Sequence, residues 1–353
     1  MEKEKYLELN QWDTYYANSY KKEWLESYDD EAILLYEQAY SYNDKYDNPE
    51  QYNIEKAIKY FKMSAAMGYA PAMYELANLL LHAAEDLGVN YDEDAYKYTV
   101  KAIEVNYIPA YVILAEFYEN GILVDMDLEK ACEYYTICAE EGDGYSQFSL
   151  GRIYDEKLKK SKAAEYWYSK SIISGFYYAC FQLGMIYQYG RGKGTIMYKD
   201  HETVEKNEYT AAQLYKRAVQ EGIKDSYNQL AQCYENGIGV EVNIPIAIQL
   251  YKKGIDEKDS CACHNLAQLY GTGKDGLIER NIHEAISCYE LGAELGDDEC
   301  MYELGWLYFD GTFDLDNVYP DIIDRQKGLY WFYKAAELGN EEAISTLEDL
   351  GKD

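Results

Sequence analysis

The sequence predicts an all-α fold, a solenoid of stacked antiparallel helix-turn-helix hairpins. Three observations predict it. A small residue, a bulky one (usually leucine) four places on and a tyrosine eight places on recur from about residue 32 to the C-terminus. A second small anchor, usually alanine, follows each of these at a distance that varies from 18 to 32 residues. From each second anchor to the next first anchor the distance is 15 residues, eight times in succession. A fixed link between units and a variable loop within them is what stacked hairpins require, because insertions then bulge at one edge without breaking the shared core.

Residues 1–31 are charged and rich in tyrosine, with Trp12, Tyr16, Tyr20 and Trp24 near helical spacing. They read as an N-terminal capping helix region. Eight repeats over 32–340 then begin near residues 32, 72, 110, 146, 179, 226, 262 and 300. Residues 341–353 supply a C-terminal capping helix.

The first helix of each repeat is anchored at Ala32, Ala72, Ala110, Ser146, Ala179, Ser226, Ala262, Cys300 and, in the last, Ala343. Position +4 is leucine from Leu76 to Leu347, with Tyr36 in the first copy. Position +5 is alanine or glycine (Ala77, Ala115, Gly151, Gly184, Ala231, Ala267, Gly305), with Glu37 the exception. Position +8 is mostly tyrosine, as at Tyr118, Tyr154, Tyr187, Tyr234, Tyr270 and Tyr308. At 100° per residue these positions fall within an arc of roughly 140°, the buried stripe of an amphipathic helix.

The second helix is anchored at Ala57, Ala95, Ala131, Ala164, Ala211, Ala247, Ala285 and Gly328, with bulky residues three and four places later. Position +7 is always small. Position +11 is Gly68, Asn106, Gly142, Gly175, Gly222, Lys258, Gly296 or Gly339, and glycine or asparagine there is a left-handed stop after a helix. Pro71 and Pro109 sit at helix starts, where a missing N–H does little harm. Long loops at 190–210 and 311–326 interrupt two repeats.

The run A-x-x-x-L-G-x-x-Y-x-x-G-x-G-V, then K-A-x-x-Y-Y, then A-x-x-G, resembles the Sel-one-like repeat, a relative of the tetratricopeptide repeat. Residues 226–240, SYNQLAQCYENGIGV, match it best. The resemblance covers about residues 32–350. It implies a right-handed superhelical α-solenoid that assembles other proteins. The chain departs from the pattern at Tyr36-Glu37, at 155–162, which lacks G-x-G, and at Gly328.

Asp and Glu number 64 against 33 Lys and Arg, for a net charge of −31. Such a surface repels phosphate backbones and anionic lipid, so neither nucleic acid nor membrane is an expected partner. Solubility accounts for the charge, and a basic or polar partner surface is the sharper reading. No stretch approaches the roughly 18 apolar residues of a membrane span, and the N-terminus lacks a signal-peptide core. Eight cysteines fall mostly at small-residue positions. Secreted members of the family carry a Cys-x7-Cys bridge, and no pair here has that spacing, so free thiols and a cytoplasmic location are expected.

Motifs for chemistry are weak. Gly271-Thr272-Gly273-Lys274-Asp275-Gly276 matches a dinucleotide loop in letters but follows a helix, and Gly273 is the repeat's own turn glycine. Gly190-Arg191-Gly192-Lys193-Gly194-Thr195 lacks the earlier glycine of a phosphate loop. The Cys/His-rich 261–300 region (Cys261, Cys263, His264, His283, Cys288, Cys300) suggests an enzyme or metal-dependent regulator as the alternative function, with packing the preferred account of those residues. His82 and His201 have no nucleophile at motif spacing. No catalytic residue, metal or cofactor is expected. A self-assembling repeat protein is a third reading.

The expected function is a non-catalytic scaffold or adaptor that binds a peptide or protein segment along its concave face. In the resemblance that face is lined by positions −1, +2, +6 and +9 of the first helices. The candidate groove residues are Tyr74, Asn78, Glu116, Phe148, Arg152, Phe181, Met185, Asn228, Gln232, His264, Gln268, Tyr302 and Trp306. Side-chain amides at 228, 232 and 268 can serve a peptide backbone of any sequence. Glu116, Glu119 and Glu235 would favour a basic residue on the ligand. Packing of position +2 onto the neighbouring first helix is the structural alternative.

Overall fold

The computed structural model describes residues 29–44, 49–82, 88–191, 203–274, 276–314 and 317–351. The predicted cap over 1–31 therefore lies almost wholly outside the described residues, as do His201 and most of the 190–210 loop. The chain forms two compact units, residues 1–179 with 192–204, and residues 180–191 with 205–353.

Unit 1 stacks four hairpins in series. They are α1 (Asp30–Asn43) with α2 (Ile54–Ala66), α3 (Ala70–His82) with α4 (Asp92–Glu104), α5 (Ala110–Asn120) with α6 (Leu128–Glu140), and α7 (Gly144–Arg152) with α8 (Ser161–Ile173). Within the unit each helix packs on its sequence neighbours. Unit 2 opens within α9 (Tyr178–Tyr189), which pairs with α10 (Glu208–Gln220). It continues with α11 (Ser226–Asn236), α12 (Ile244–Asp256), α13 (Ser260–Thr272), α14 (Ile282–Glu294), α15 (Asp298–Phe309), α16 (Arg325–Glu337) and α17 (Glu341–Leu350). From α10 onward each again packs on its sequence neighbours. Successive first helices also touch: α3 with α5, α11 with α13, and α13 with α15.

The register follows from where small residues are needed. All nine first-helix anchors are fully buried. Position +7 of each second helix is wedged where two first helices start. The Ser64 hydroxyl donates to the Ala32 carbonyl at 2.6 Å, and the Ser171 hydroxyl to that of Gly144 at 2.7 Å. At Gly254 an added Cβ would lie 2.9 Å from that of Ala262, nearer than real Cβ atoms approach. The turn between hairpins then has one geometry. All eight residues at position +11 have φ between +59° and +97°, including Lys258 at +67°.

The variable loops have one geometry too, at their base. In six of the eight hairpins the residue four before the second-helix anchor donates its backbone N–H to the carbonyl of position +8: Asp127 to Tyr118, Lys160 to Tyr154, Asn207 to Tyr187, Asn243 to Tyr234, Asn281 to Tyr270 and Asp324 to Tyr308, at 2.7–2.9 Å; in the first, Asn53 donates to Tyr42 instead. Where that residue is Asn or Asp its side chain also caps the second helix, as Asn243 does by accepting from the Ile246 amide. Loops of quite different length thus leave and rejoin the stack at one clamp.

Two details modify the all-α expectation. The 311–326 loop contains a short antiparallel pair, β1 (Thr312–Asp314) with β2 (Asn317–Val318), and a 3₁₀ turn at Pro320–Ile322. In the fourth hairpin, where the two anchors are closest, α7 ends in a π-turn over Ile153–Lys157. One extra residue per turn lets the chain reach the clamp at Lys160 within so short a connection.

Candidate protein-binding face

Position +4 of the second helices organises each hairpin. It is Phe61, Tyr135, Tyr168, Tyr215, Tyr251, Tyr289 or Phe332, every one fully buried, with Thr99 in the second copy. The ring lies flat on position +5 of the paired first helix, which explains why that position is glycine or alanine. A Cβ at Gly151 would come within 2.5 Å of the Tyr168 ring, at Gly184 within 2.6 Å of Tyr215, and at Gly305 within 2.4 Å of Phe332.

The phenol hydroxyl then reaches position +9 of the first helix. Tyr135 donates to Glu119 at 3.0 Å, Tyr215 to Gln188 at 2.6 Å and Tyr251 to Glu235 at 2.6 Å. Burial, with the carboxylate second, pushes the Tyr251 phenol far above its ordinary range, so it stays a donor. Tyr289 has no such acceptor, because position +9 of α13 is Gly271. The Phe313 ring from β1 fills that space instead, and the Tyr289 hydroxyl makes no hydrogen bond among the described residues.

In unit 1 the candidate residues are engaged internally. Glu119 is buried and also accepts from Arg152 at 2.6 Å. Burial alone would lower the Arg152 guanidinium, but Glu119 more than offsets it and the group is raised. Glu116 accepts from the Tyr145 hydroxyl at 2.9 Å, with His82 4.0 Å away. These contacts tie α3, α5 and α7 together. Tyr74 is buried against Tyr107, and Phe148 lies between Tyr168 and Phe176. Asn78 is half-buried.

In unit 2, Phe181 packs on Tyr215, His264 on Tyr289 and Tyr302 on Phe332, with ring centroids 5.7–6.2 Å apart. These aromatic residues at position +2 therefore pack on the second helix of their own hairpin, whereas Asn228 at the same position reaches the neighbouring first helix. Asn228 is buried and accepts from Asn265 at 2.8 Å, joining α11 to α13. Its side-chain oxygen is thus engaged within the fold. Glu235 serves Tyr251, and its carbonyl accepts from Lys274. Met185, Gln232, Gln268 and Trp306, all at position +6, are partly open, as are Phe181, His264 and Tyr302. Gln232 and Gln268 side chains make no hydrogen bond among the described residues, and Trp306 leans edge-on against Phe332 at 5.2 Å. Nearby on α15, burial and then Glu299 push the Glu303 carboxyl up to about 7.

The 261–300 region brings no group of three His, Cys, Asp or Glu together in a metal-holding arrangement among the described residues. Cys263, Cys288 and Cys300 are buried and Cys261 is exposed. Burial pushes Cys263 up to about 12 and Cys288 to about 11, so both are protonated thiols at neutral pH. No helix among the described residues is long and apolar enough to cross a membrane.

Two features escaped the sequence reading although their signal is there. Asn or Asp stands four residues before six of the eight second-helix anchors. Glu or Gln stands at position +9 opposite a second-helix tyrosine in three hairpins. Both were hidden by the wider abundance of polar residues.

Comparison with known proteins agrees with this register. The Sel1 repeat model matches residues 47–69, 70–107, 108–143, 178–223, 224–259, 262–297 and 298–340. The hairpin it passes over, α7–α8, is the one with the π-turn. A sel1-like repeat-containing protein of Acanthamoeba polyphaga mimivirus is 36% identical over 74 residues, 21% of this chain. A chitin synthase regulator of Saccharomyces cerevisiae is 26% identical over 163 residues, 43% of this chain. The matches span only 14% and 23% of those two proteins. Among solved structures, a protective antigen of uropathogenic Escherichia coli with an SLR fold superposes with a TM-score of 0.66 at 27% identity, over 91% of this chain and 64% of the antigen. A Sel1 repeat protein of Oxalobacter formigenes gives a TM-score of 0.59 at 21% identity, over 94% of this chain and 90% of its own. With repeat matches from residue 47 to residue 340 and small residues buried at every anchor, the chain belongs to the Sel1 repeat family.

Proposed function

We propose that this chain is a non-catalytic scaffold that holds an extended segment of a partner protein against the first helices of unit 2. Sel1 repeat proteins generally mediate protein–protein interaction, and the fold is typically non-enzymatic. The observation that carries the finer reading is the row at position +6. On the touching helices α11 and α13 it presents two half-buried amides, Gln232 and Gln268, whose hydrogen-bonding capacity the described residues leave unused. On α15 the same position presents an indole. Amides that both donate and accept suit a peptide backbone, and a partly desolvated indole is a favoured anchor. The unit 1 carboxylates are committed to Arg152, Tyr135 and Tyr145, so preference for a basic or polar segment comes from the overall charge of −31.

The test replaces Gln232 and Gln268 with alanine and maps partner contacts by crosslinking and mass spectrometry. Crosslinks to unit 2 should fall away while the melting temperature holds. Undiminished crosslinking to α11, α13 and α15 would reject this face.

A further inference from the structure

Position +7 of a second helix sits between position +1 of its own first helix and position 0 of the next. At α14 these three residues are Gly292, Cys263 and Cys300. A Cβ on Gly292 would lie 3.1 Å from the Cβ of Cys263, 3.1 Å from that of Cys300 and 2.4 Å from the Cys300 sulfur. Both cysteine Cβ atoms are thus 3.1 Å from one point and at most 6.2 Å from each other. A disulfide holds its Cβ atoms about 3.5–4.5 Å apart, so closure needs a shift of no more than about 2 Å to enter that range. Both thiols are free and fully buried, on helices that touch. Along the chain, no other pair at these two positions (Met73 with Ala110, Tyr111 with Ser146, Tyr227 with Ala262) consists of two cysteines.

We propose that Cys263 and Cys300 form a reversible disulfide linking α13 to α15 when the protein meets a low-molecular-weight disulfide. One cysteine loses its proton and its sulfur attacks the oxidant. The oxidant's S–S bond breaks, and the departing small thiolate takes up a proton. The second cysteine then loses its proton and attacks the protein sulfur of the mixed disulfide, expelling the other half of the oxidant as a thiol. Two cysteine sulfurs are oxidised by two electrons in all, and one small disulfide becomes two small thiols.

Burial keeps both groups protonated, so the first attack waits for the α14–α15 junction to open and the reaction is slow. Gly292 is what makes the approach possible, since any larger residue would stand where the Cys300 sulfur lies. The bond would fix the spacing of the helices that carry Gln268 and Trp306. That consequence rests on the binding face proposed above, whereas the bond itself does not.

The experiment incubates the full chain with excess oxidised glutathione, blocks free thiols with N-ethylmaleimide and maps peptides by mass spectrometry without reduction. A peptide containing Cys263 should be joined to one containing Cys300 and be released by dithiothreitol. The link should vanish in Cys263→Ala and in Cys300→Ser, and persist in Cys261→Ser and Cys288→Ala. Serine already occupies position 0 at Ser146 and Ser226, so Cys300→Ser suits the fold. A Cys263–Cys288 link, or glutathione on Cys261 with Cys263 and Cys300 still free, would overturn the proposal. If the link forms but partner crosslinks to α13 and α15 do not change, the binding-face reading fails and the disulfide stands.

Discussion

Replacing Asp143 with Asn should flatten the pH dependence of unit 1 stability. Asp143 caps α7, accepting from the Ser146 amide at 2.6 Å, and is 3% exposed. Burial pushes its carboxyl from 3.8 up to about 7, with bonds from Ser146 and the Tyr145 amide pulling the other way. The folded state thus prefers the neutral acid. Its contribution is complete below the unfolded value and is lost as pH rises through the folded one. Between about pH 4 and 7 the native state holds a proton that the unfolded chain has released, so stability falls by about 1.4 kcal/mol per pH unit from this residue. From pH 5.5 to 7.0 that amounts to about 2 kcal/mol. Asparagine keeps the cap without the charge, as Asn340 does at the same position before α17 by accepting from the Ala343 amide at 2.8 Å. Urea unfolding of both proteins at pH 5.5, 7.0 and 8.5, followed by circular dichroism, measures the difference in slope. General charge repulsion acts on both proteins and cancels. Parallel stability curves would show that the buried carboxyl is not protonated in the native state, and the reasoning would fail.

Two further substitutions test the register. Gly151→Ala drives a methyl to within 2.5 Å of the fully buried Tyr168 ring and should destabilise by about 1–3 kcal/mol in chemical denaturation; a neutral result would mean that the ring is not held against α7. Lys258→Gly relieves a left-handed lysine at φ +67° and should stabilise by about 0.5–1 kcal/mol, the balance of strain relieved against glycine's greater unfolded freedom. A lowered melting temperature there would show that the lysine side chain contributes more than its backbone strain takes away.

The repeat was legible because its constraints are local and recur. A small residue at position 0 and another at +7 are demanded by the closeness of neighbouring backbones, and a left-handed residue at +11 by the turn that follows. Each is a demand on one residue at a fixed offset, so eight copies reveal it. The candidate face was legible only in outline, because what a side chain at +2, +6 or +9 does depends on helices 16 to 40 residues away. Glu119 looked available for a ligand until Arg152 and Tyr135 were seen to share it. Asn228 belonged to the same amide run as Gln232 until Asn265 took it inside.

By itself the sequence determined the order and phase of the helices among the described residues, because burying an apolar stripe at 100° per residue admits one register. Tertiary structure alone decided which polar groups are already satisfied. Hydrogen bonding is settled by partners brought together from separate hairpins, and no offset along one chain encodes their meeting. That is why Glu116 and Arg152 emerged as internal fasteners, while the side-chain amides of Gln232 and Gln268 have no partner among the described residues.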